Sequence, residues 1–254
     1  MDILQNIYAG AVIAAGGMAQ RMQGINKQSL MIQGIPVLVR SIQRMAEVKQ
    51  IRQIVVVARP ELFSQLKQWK TEYSLPDFEI VAGGESRQQS VLNGIKALPD
   101  QTEYFVIHDG ARPFADRELI LRCLQSAVEH GAATAAVKTK DTIKRVSPEG
   151  IIEETPNREF LYLTQTPQIF KAELLHRAYG SENLRGAAVT DDASLVERLG
   201  VKVAVAEGSY ENIKITTPED LLLAEKICAD RGMAMQQEIK VPQFRVGTGF
   251  DVHR

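Results

Sequence analysis

The chain has 254 residues, 44% of them apolar and 24% charged, with a formal net charge of -1. That length suits one large α/β domain or a domain with an appendage. The near-neutral balance excludes the basic footprint expected of a nucleic-acid binder or of a protein held on an anionic membrane. Cys123 and Cys228 fall in helical segments and suit neither a disulfide framework nor a Cys-x-x-Cys site. They read as buried thiols in a reducing compartment. The apolar run near the N-terminus lacks the cationic start of a signal peptide, since Asp2 is acidic and the first arginine is Arg21. No stretch approaches the length of a membrane span. A cytoplasmic protein is expected.

Residues 9–15, AGAVIAA, form a short apolar run of the kind that makes a fully buried strand. It breaks at Gly16-Gly17 and continues through a polar loop that holds Arg21 and Lys27. Glycine backbone can approach a ligand closely and turn its N–H groups toward it. A strand, a tight glycine turn and two nearby cations make a place to hold a polyphosphate. An ordinary glycine turn with two solvated cations fits the same residues. A Walker A loop needs Gly-Lys-Ser/Thr, whereas Lys27 stands between Asn26 and Gln28. Nothing after Gly17 restores the G-x-G-x-x-G spacing.

Residues 36–48 place Val37, Leu38, Ile42, Met45 and Val48 at helical spacing, with Pro36 suited to a first turn. Residues 54–57 are too uniformly apolar to have a wet face and predict a central parallel strand. A helix near 60–70 and a strand at 78–82 follow, the latter ending at Gly83-Gly84. Ser86 opens a helix with Val91, Leu92, Ile95 and Leu98 inward. A strand at 104–108 ends in Asp109-Gly110-Ala111-Arg112-Pro113, and a helix at 118–129 precedes a strand at 132–137. This alternation predicts an α/β fold, a doubly wound and mostly parallel sheet with ligands beyond the carboxyl ends of its strands. Three of those ends carry glycine or polar motifs, which is the strongest argument from the residues alone for a pocket.

The rhythm changes at Asp141. Residues 141–166 hold alternating segments around a Ser-Pro-Glu-Gly turn, a β-arm too polar to be core, for which a second subunit is the simplest partner. Helices near 172–179 and 191–199, a strand at 202–206 and a helix opened by Thr217-Pro218-Glu219-Asp220 and running to about 230 complete the unit.

Ala14-Ala15-Gly16, Arg21-Met22 and Lys27 resemble the opening of nucleotidyltransferases that join a nucleoside triphosphate to a phosphorylated small molecule, with Asn26 where proline is commonest. With Gly83-Gly84-Glu85-Ser86-Arg87, His108–Pro113, Asp141–Lys144, Thr166-Pro167-Gln168, Thr190–Ser194 and Asn212–Asp220 in order, residues 9–230 resemble the 2-C-methyl-D-erythritol 4-phosphate cytidylyltransferases of non-mevalonate isoprenoid synthesis. The resemblance implies transfer of CMP from CTP to methylerythritol phosphate with release of pyrophosphate, and a Rossmann-like nucleotidyltransferase fold. Arg21 and Lys27 match the catalytic pair that stabilises charge on the α-phosphate, with Mg²⁺ accompanying CTP. Arg158 and Lys214 match the residues that grip the acceptor, and Asp109, Arg112 and Thr142 match other substrate contacts. Ala14, Ala15, Gly16, Gly17, Gly83, Ser90 and Gly110 match the nucleotide side. It further implies a homodimer in which the arm, with Thr142 and Arg158, completes the neighbour's site.

Residues 231–243 lack a period and read as a linker. Residues 244–254, FRVGTGFDVHR, resemble the first strand of 2-C-methyl-D-erythritol 2,4-cyclodiphosphate synthase, where the Asp-x-His pair, here Asp251 and His253, binds a catalytic Zn²⁺ or similar divalent metal. On a strand such a pair faces one way. The expectation is a bifunctional fusion cut where its second domain begins, with no cyclase activity in residues 1–254, because two ligands do not complete a zinc site. Two other readings fit the opening loop: a molybdopterin guanylyltransferase, opposed by the 108–113 and 212–220 runs, and a non-catalytic nucleotide-binding regulator, opposed by the retention of Arg21 and Lys27.

Overall fold

The structure, a computed structural model, describes residues 3–16, 27–180 and 189–233. Its centre is a seven-stranded sheet. Strands β1 (Ala9–Ala14), β4 (Ile51–Ala58), β5 (Glu79–Ala82) and β6 (Tyr104–Asp109) run parallel. Then come β10 (Tyr162–Lys171), β7 (Ala132–Lys138) and β11 (Ala204–Glu207). The spatial order is β11-β7-β10-β6-β1-β4-β5. Two short strands, β2 (Met31–Ile32) and β3 (Ile35–Pro36), form a separate hairpin.

Both faces of the sheet's centre are covered, which is why β1 and residues 54–57 of β4 are apolar throughout rather than alternating. Ala11 and Ile13 of β1, Val56 of β4 and Val106 of β6 point to one face. There they meet α1 (Val37–Ala46), α2 (Phe63–Glu72) and α4 (Arg117–His130). Val12, Val55, Val57, Phe105 and Ile107 point to the other, against α3 (Arg87–Lys96), α5 (Ala172–Gly180) and α6 (Asp192–Glu197). The expected inward residues Val37, Leu38, Ile42, Met45 and Val48 are all buried, as are the thiols of Cys123 and Cys228. Helix α7 (Pro218–Asp230) opens on the expected capping box of Thr217 and Asp220, and packs with Phe114 and Ile32 in a third apolar cluster. Buried Arg40 donates to Ile32 O at 2.7 Å, fastening the β2–β3 hairpin to α1.

The sheet is mostly parallel, as expected; its antiparallel member is β10, which runs against both neighbours, β6 and β7, and takes in residues expected in the arm. Tyr162, Leu163 and Thr164, expected in the arm, pair with Lys138, Val137 and Ala136 in the main sheet. The ladder to β7 shifts register between Thr164 and Gln168, where Pro167 has no N–H to give. What protrudes is shorter: β8 (Arg145–Val146) and β9 (Ile152–Glu154), closed by a bond from Ser147 N to Ile151 O. A single turn, Arg158–Phe160, leads from the arm back toward the sheet.

Helix α3 lies unusually close to the sheet because Gly94 has no side chain. A Cβ there would stand 2.4 Å from Val12 Cγ1 and 2.7 Å from Val57 Cγ2. Gly94→Ala should therefore destabilise the protein by about 1–3 kcal/mol through overpacking, more than the gain in helix propensity of at most about 1 kcal/mol returns. A lower urea midpoint at unchanged slope is the expected result.

Candidate active site

The strand order β5-β4-β1-β6 reverses direction of winding at β1, and the carboxyl ends there open a cleft, as the topology requires. Its volume is about 560 Å³. Ala14, Gly16, Gly83, Gly84 and Ser90 form much of one wall, and Arg59, Glu85, Arg87, Asp109 and Lys214 bring charge to it.

The glycine wall is held from behind. Ser90, buried in α3, accepts a bond from Gly84 N at 3.0 Å and donates to Ser86 O at 2.9 Å. Its hydroxyl thus sets the Gly83–Gly84 turn. Ser86 caps α3 by accepting from Gln89 N, so the first turn of the helix faces the same cleft. Gly110 closes the floor: its N–H donates to Ala14 O at 3.0 Å, and a Cβ would stand 3.1 Å from Gln28 Oε1.

Charge is organised around Asp109, at the end of β6. Lys214 Nζ lies 2.7 Å from Asp109 Oδ2, with Arg112 Nε at 3.7 Å and Arg87 Nη2 at 3.9 Å. Burial pushes this carboxyl up, but Lys214, Arg87 and Arg112 outweigh burial and hold it well below the usual carboxylate range. Arg87 is itself anchored by Asp192 at 2.6 Å, which also accepts from Tyr179 Oη at 2.6 Å. Arg112 donates to Asn212 O at 2.7 Å. Arg59 donates to Gly16 O at 3.2 Å from the end of β4.

His108 explains how Asp109 is aimed. It is fully buried, with Nε2 3.0 Å from Arg112 O and Nδ1 3.1 Å from Thr166 Oγ1. A carbonyl can only accept, so Nε2 carries the proton and Nδ1 accepts from the threonine hydroxyl. That hydroxyl in turn accepts from Asp109 N at 3.0 Å.

Not all of the expected residues meet here. Ala14, Gly16, Gly83, Ser90, Asp109 and Lys214 line the cleft; Ala15, Gly110 and Arg112 adjoin it. Gly17 and Arg21 lie outside the described residues, as do Asp251 and His253. Lys27 opens a short turn, Lys27–Ser29, that leads into the β2–β3 hairpin; its side chain lies outside what is described. Thr142 and Arg158 are exposed on or beside the arm, and neither lines the cleft of its own chain. Arg158 donates instead to Lys140 O at 3.3 Å. Arg59 and Arg87 escaped the site reading of the sequence. Each directly follows, or sits just past, a strand end that the topology rule already marks.

Burial lowers the pKa of His108 from 6.5 to about 4, against the opposing pull of its bond to Arg112 O. Between those values the unfolded chain binds a proton at this site and the folded chain does not, so stability falls as pH falls from 6.5 toward 4. The full loss is about 3 kcal/mol at about 1.4 kcal/mol per unit. The thermal midpoint should drop between pH 7 and pH 4.5, and His108→Gln should show a smaller drop across the same interval.

Residues 9–230 match the family described as 2-C-methyl-D-erythritol 4-phosphate cytidylyltransferase. The enzyme of that name from Caldanaerobacter subterraneus subsp. tengcongensis is 44% identical over 218 residues, 85% of this chain and 96% of that protein. The crystal structure of 4-diphosphocytidyl-2C-methyl-D-erythritol synthase from Anaerococcus prevotii superposes with a TM-score of 0.80 at 33% identity, covering 88% of this chain and 96% of that one. A bifunctional enzyme IspD/IspF from Desulfotalea psychrophila is 38% identical over 244 residues, 96% of this chain but 61% of that protein. With a switch-point cleft built from glycine turns and clustered cations, and homology across nearly the whole described fold, the chain belongs to the 2-C-methyl-D-erythritol 4-phosphate cytidylyltransferase family.

Proposed function

We propose that this cleft carries out the family reaction, the transfer of CMP from CTP to 2-C-methyl-D-erythritol 4-phosphate, and that the cations gathered at Asp109 serve its acceptor side. A phosphate oxygen of the acceptor attacks the α-phosphorus of CTP. The new P–O bond forms as the bond to the bridging α–β oxygen breaks, and pyrophosphate leaves. Two anions must be brought together and the charge growing on the α-phosphate neutralised, which is work for positioned cations and backbone dipoles. Ala14, Ala15, Gly16 and Gly17 with Gly83, Ser90 and Gly110 hold the nucleotide. Arg21 and Lys27 stabilise the α-phosphate, and Lys214, Arg112 and Asp109 orient the acceptor.

The arrangement of Lys214 beside Asp109 carries this reading. Buried Asp109 holds the ammonium at the cleft before any substrate arrives, so less reorganisation remains when the acceptor phosphate binds. A magnesium ion accompanying the triphosphate would neutralise phosphate charge beside the Ala14–Gly16 turn. Asp109 is already surrounded by Lys214, Arg112 and Arg87. Residues 244–254 begin a cyclodiphosphate synthase unit whose zinc site, with Asp251 and His253, needs the rest of that unit. No described helix is long and apolar enough to cross a membrane.

The arm supplies Thr142 and Arg158 to a second copy of the chain. Its surface is unusually apolar for one in water: Ile151, Ile152, Val146 and Phe160 are 67%, 58%, 48% and 74% exposed.

Pyrophosphate release should require both CTP and methylerythritol phosphate. Lys27→Ala should lower kcat about a hundredfold or more, as loss of a transition-state charge contact does; an unchanged rate removes Lys27 from the mechanism. Arg158→Met and Lys214→Met should each lose most of the rate at subsaturating methylerythritol phosphate, through a raised acceptor KM that stays measurable. Mixed and allowed to exchange subunits, they should recover about a quarter of wild-type activity, since half the dimers carry one intact site of two. No recovery means that each chain completes its own site.

A further inference from the structure

Lys214 reaches Asp109 from the segment, residues 208–217, that joins β11 to α7, and the course of that segment is set from outside the cleft. Gln165, buried in β10, donates from Nε2 to Ser209 O at 2.7 Å. Its Oε1 accepts from Ser209 N and from Asn212 Nδ2, each at 3.3 Å. Fully buried Asn212 also donates to Thr166 O at 2.8 Å, and its own carbonyl receives Arg112. Gly208 closes the same corner: a Cβ there would stand 2.6 Å from Gln165 Oε1 and 2.9 Å from Ala136 O. Both polar atoms of one side-chain amide thus fasten the backbone that delivers Lys214 and meets Arg112.

The segment is tied on its other side to the base of the arm. Tyr210 donates its hydroxyl to Lys138 O at 2.7 Å, and the Lys140 ammonium sits 3.7 Å above its ring. Arg158 donates to the carbonyl of that same Lys140. A continuous chain of contacts therefore runs from Arg158 through Lys140, Tyr210, Ser209 and Asn212 to Arg112 and Asp109.

We propose that Gln165 is a positioning residue for the transfer reaction, holding Lys214 and Arg112 at Asp109 through the Ser209–Asn212 backbone, with Tyr210 extending the fastening to the arm. The proposal rests on the reading that Lys214 grips the acceptor phosphate. An amide is the side chain required, because it both donates to Ser209 O and accepts from Ser209 N and Asn212. An apolar isostere would leave those buried groups unpaired and the segment free to shift.

The test is steady-state pyrophosphate release, with CTP and methylerythritol phosphate varied separately, on Gln165→Met, Lys214→Met, the double variant and Tyr210→Phe, with thermal midpoints alongside. Gln165→Met should raise the KM for methylerythritol phosphate about tenfold or more, the size expected when a cation is displaced by a fraction of an ångström. The KM for CTP should change by less than about twofold, since the glycine wall is untouched; a purely structural loss would lower the active fraction and move neither KM. In the Lys214→Met background, adding Gln165→Met should cost less than about another twofold in kcat/KM for the acceptor, because the group it positions is gone. Tyr210 is half exposed, so Tyr210→Phe will fold even if Gln165→Met does not, and it should raise the acceptor KM about threefold through the lost hydroxyl bond.

An unchanged acceptor KM in Gln165→Met, or full additivity with Lys214→Met, overturns the proposal and leaves the function of Lys214 standing. If Gln165→Met is insoluble, an unchanged acceptor KM in Tyr210→Phe overturns it instead. If Lys214→Met itself leaves the acceptor KM unchanged, the assignment of Lys214 fails and takes the proposal with it.

Discussion

Cations gathered at one point repel each other, and without a counter-charge the side chains of Lys214, Arg112 and Arg87 would swing toward water. Asp109 is that counter-charge. It sits on the floor of the cleft, within 4 Å of all three, and its burial makes each attraction stronger than it would be in solvent. The carboxylate is worth keeping buried only because the cations surround it, and the cations stay aimed only because it is there. The rest of the molecule reads as the means of putting Asp109 at that point: a parallel strand that ends at the switch point, a neutral histidine beneath it, and a threonine that receives its backbone N–H.

Why one buried carboxylate and not more follows from what must bind. Both substrates are anions, so the cleft needs a surplus of positive charge when empty and near balance when filled. A second free carboxylate on the floor would cancel that surplus. The structure leaves Glu85 exposed on the cleft wall, away from the buried floor, and keeps Asp192 occupied by Arg87 and Tyr179. Arg87 then stands between Asp192 and Asp109, helping to hold Asp109 ionised while its own charge remains near the cleft wall.

The parts of this arrangement that could be read in the sequence are those encoded locally. The inner face of α1 follows from the spacing of Val37, Leu38, Ile42 and Met45. The start of α7 follows from Thr217 and Asp220, and the strand ends show in Gly16, Gly83-Gly84 and Asp109. Strand β10 resisted reading because its side chains serve partners far away along the chain. Thr166 receives Asp109 N from 57 residues away, Gln165 holds Ser209 from 44, and Gln168 donates to Asp191 and accepts from the N–H groups that open α6. A stretch such as TQTPQ has neither an apolar run nor a clean alternation, so it looks like a loop. Arg59 and Arg87 were hidden for a related reason: an isolated arginine after a strand is ordinary until the sheet order shows which strand ends share a cleft.

The same polar strand accounts for where the arm leaves the body. The arm is the connection between β7 and β10, two strands paired to each other, so its two roots are fixed side by side where Lys138 faces Tyr162. That root lies next to Tyr210, in the segment that carries Lys214. Here the strand that ends the arm supplies Gln165 to the Lys214 segment and Thr166 to Asp109, so the arm and the floor of the cleft share one strand. A polar sequence in the interior of a sheet is a poor way to build a core, since each buried amide or hydroxyl must find a partner or destabilise the fold. It is a good way to make three distant segments agree on one geometry, and in this protein those three segments are the arm, the floor of the cleft and the loop that brings the lysine.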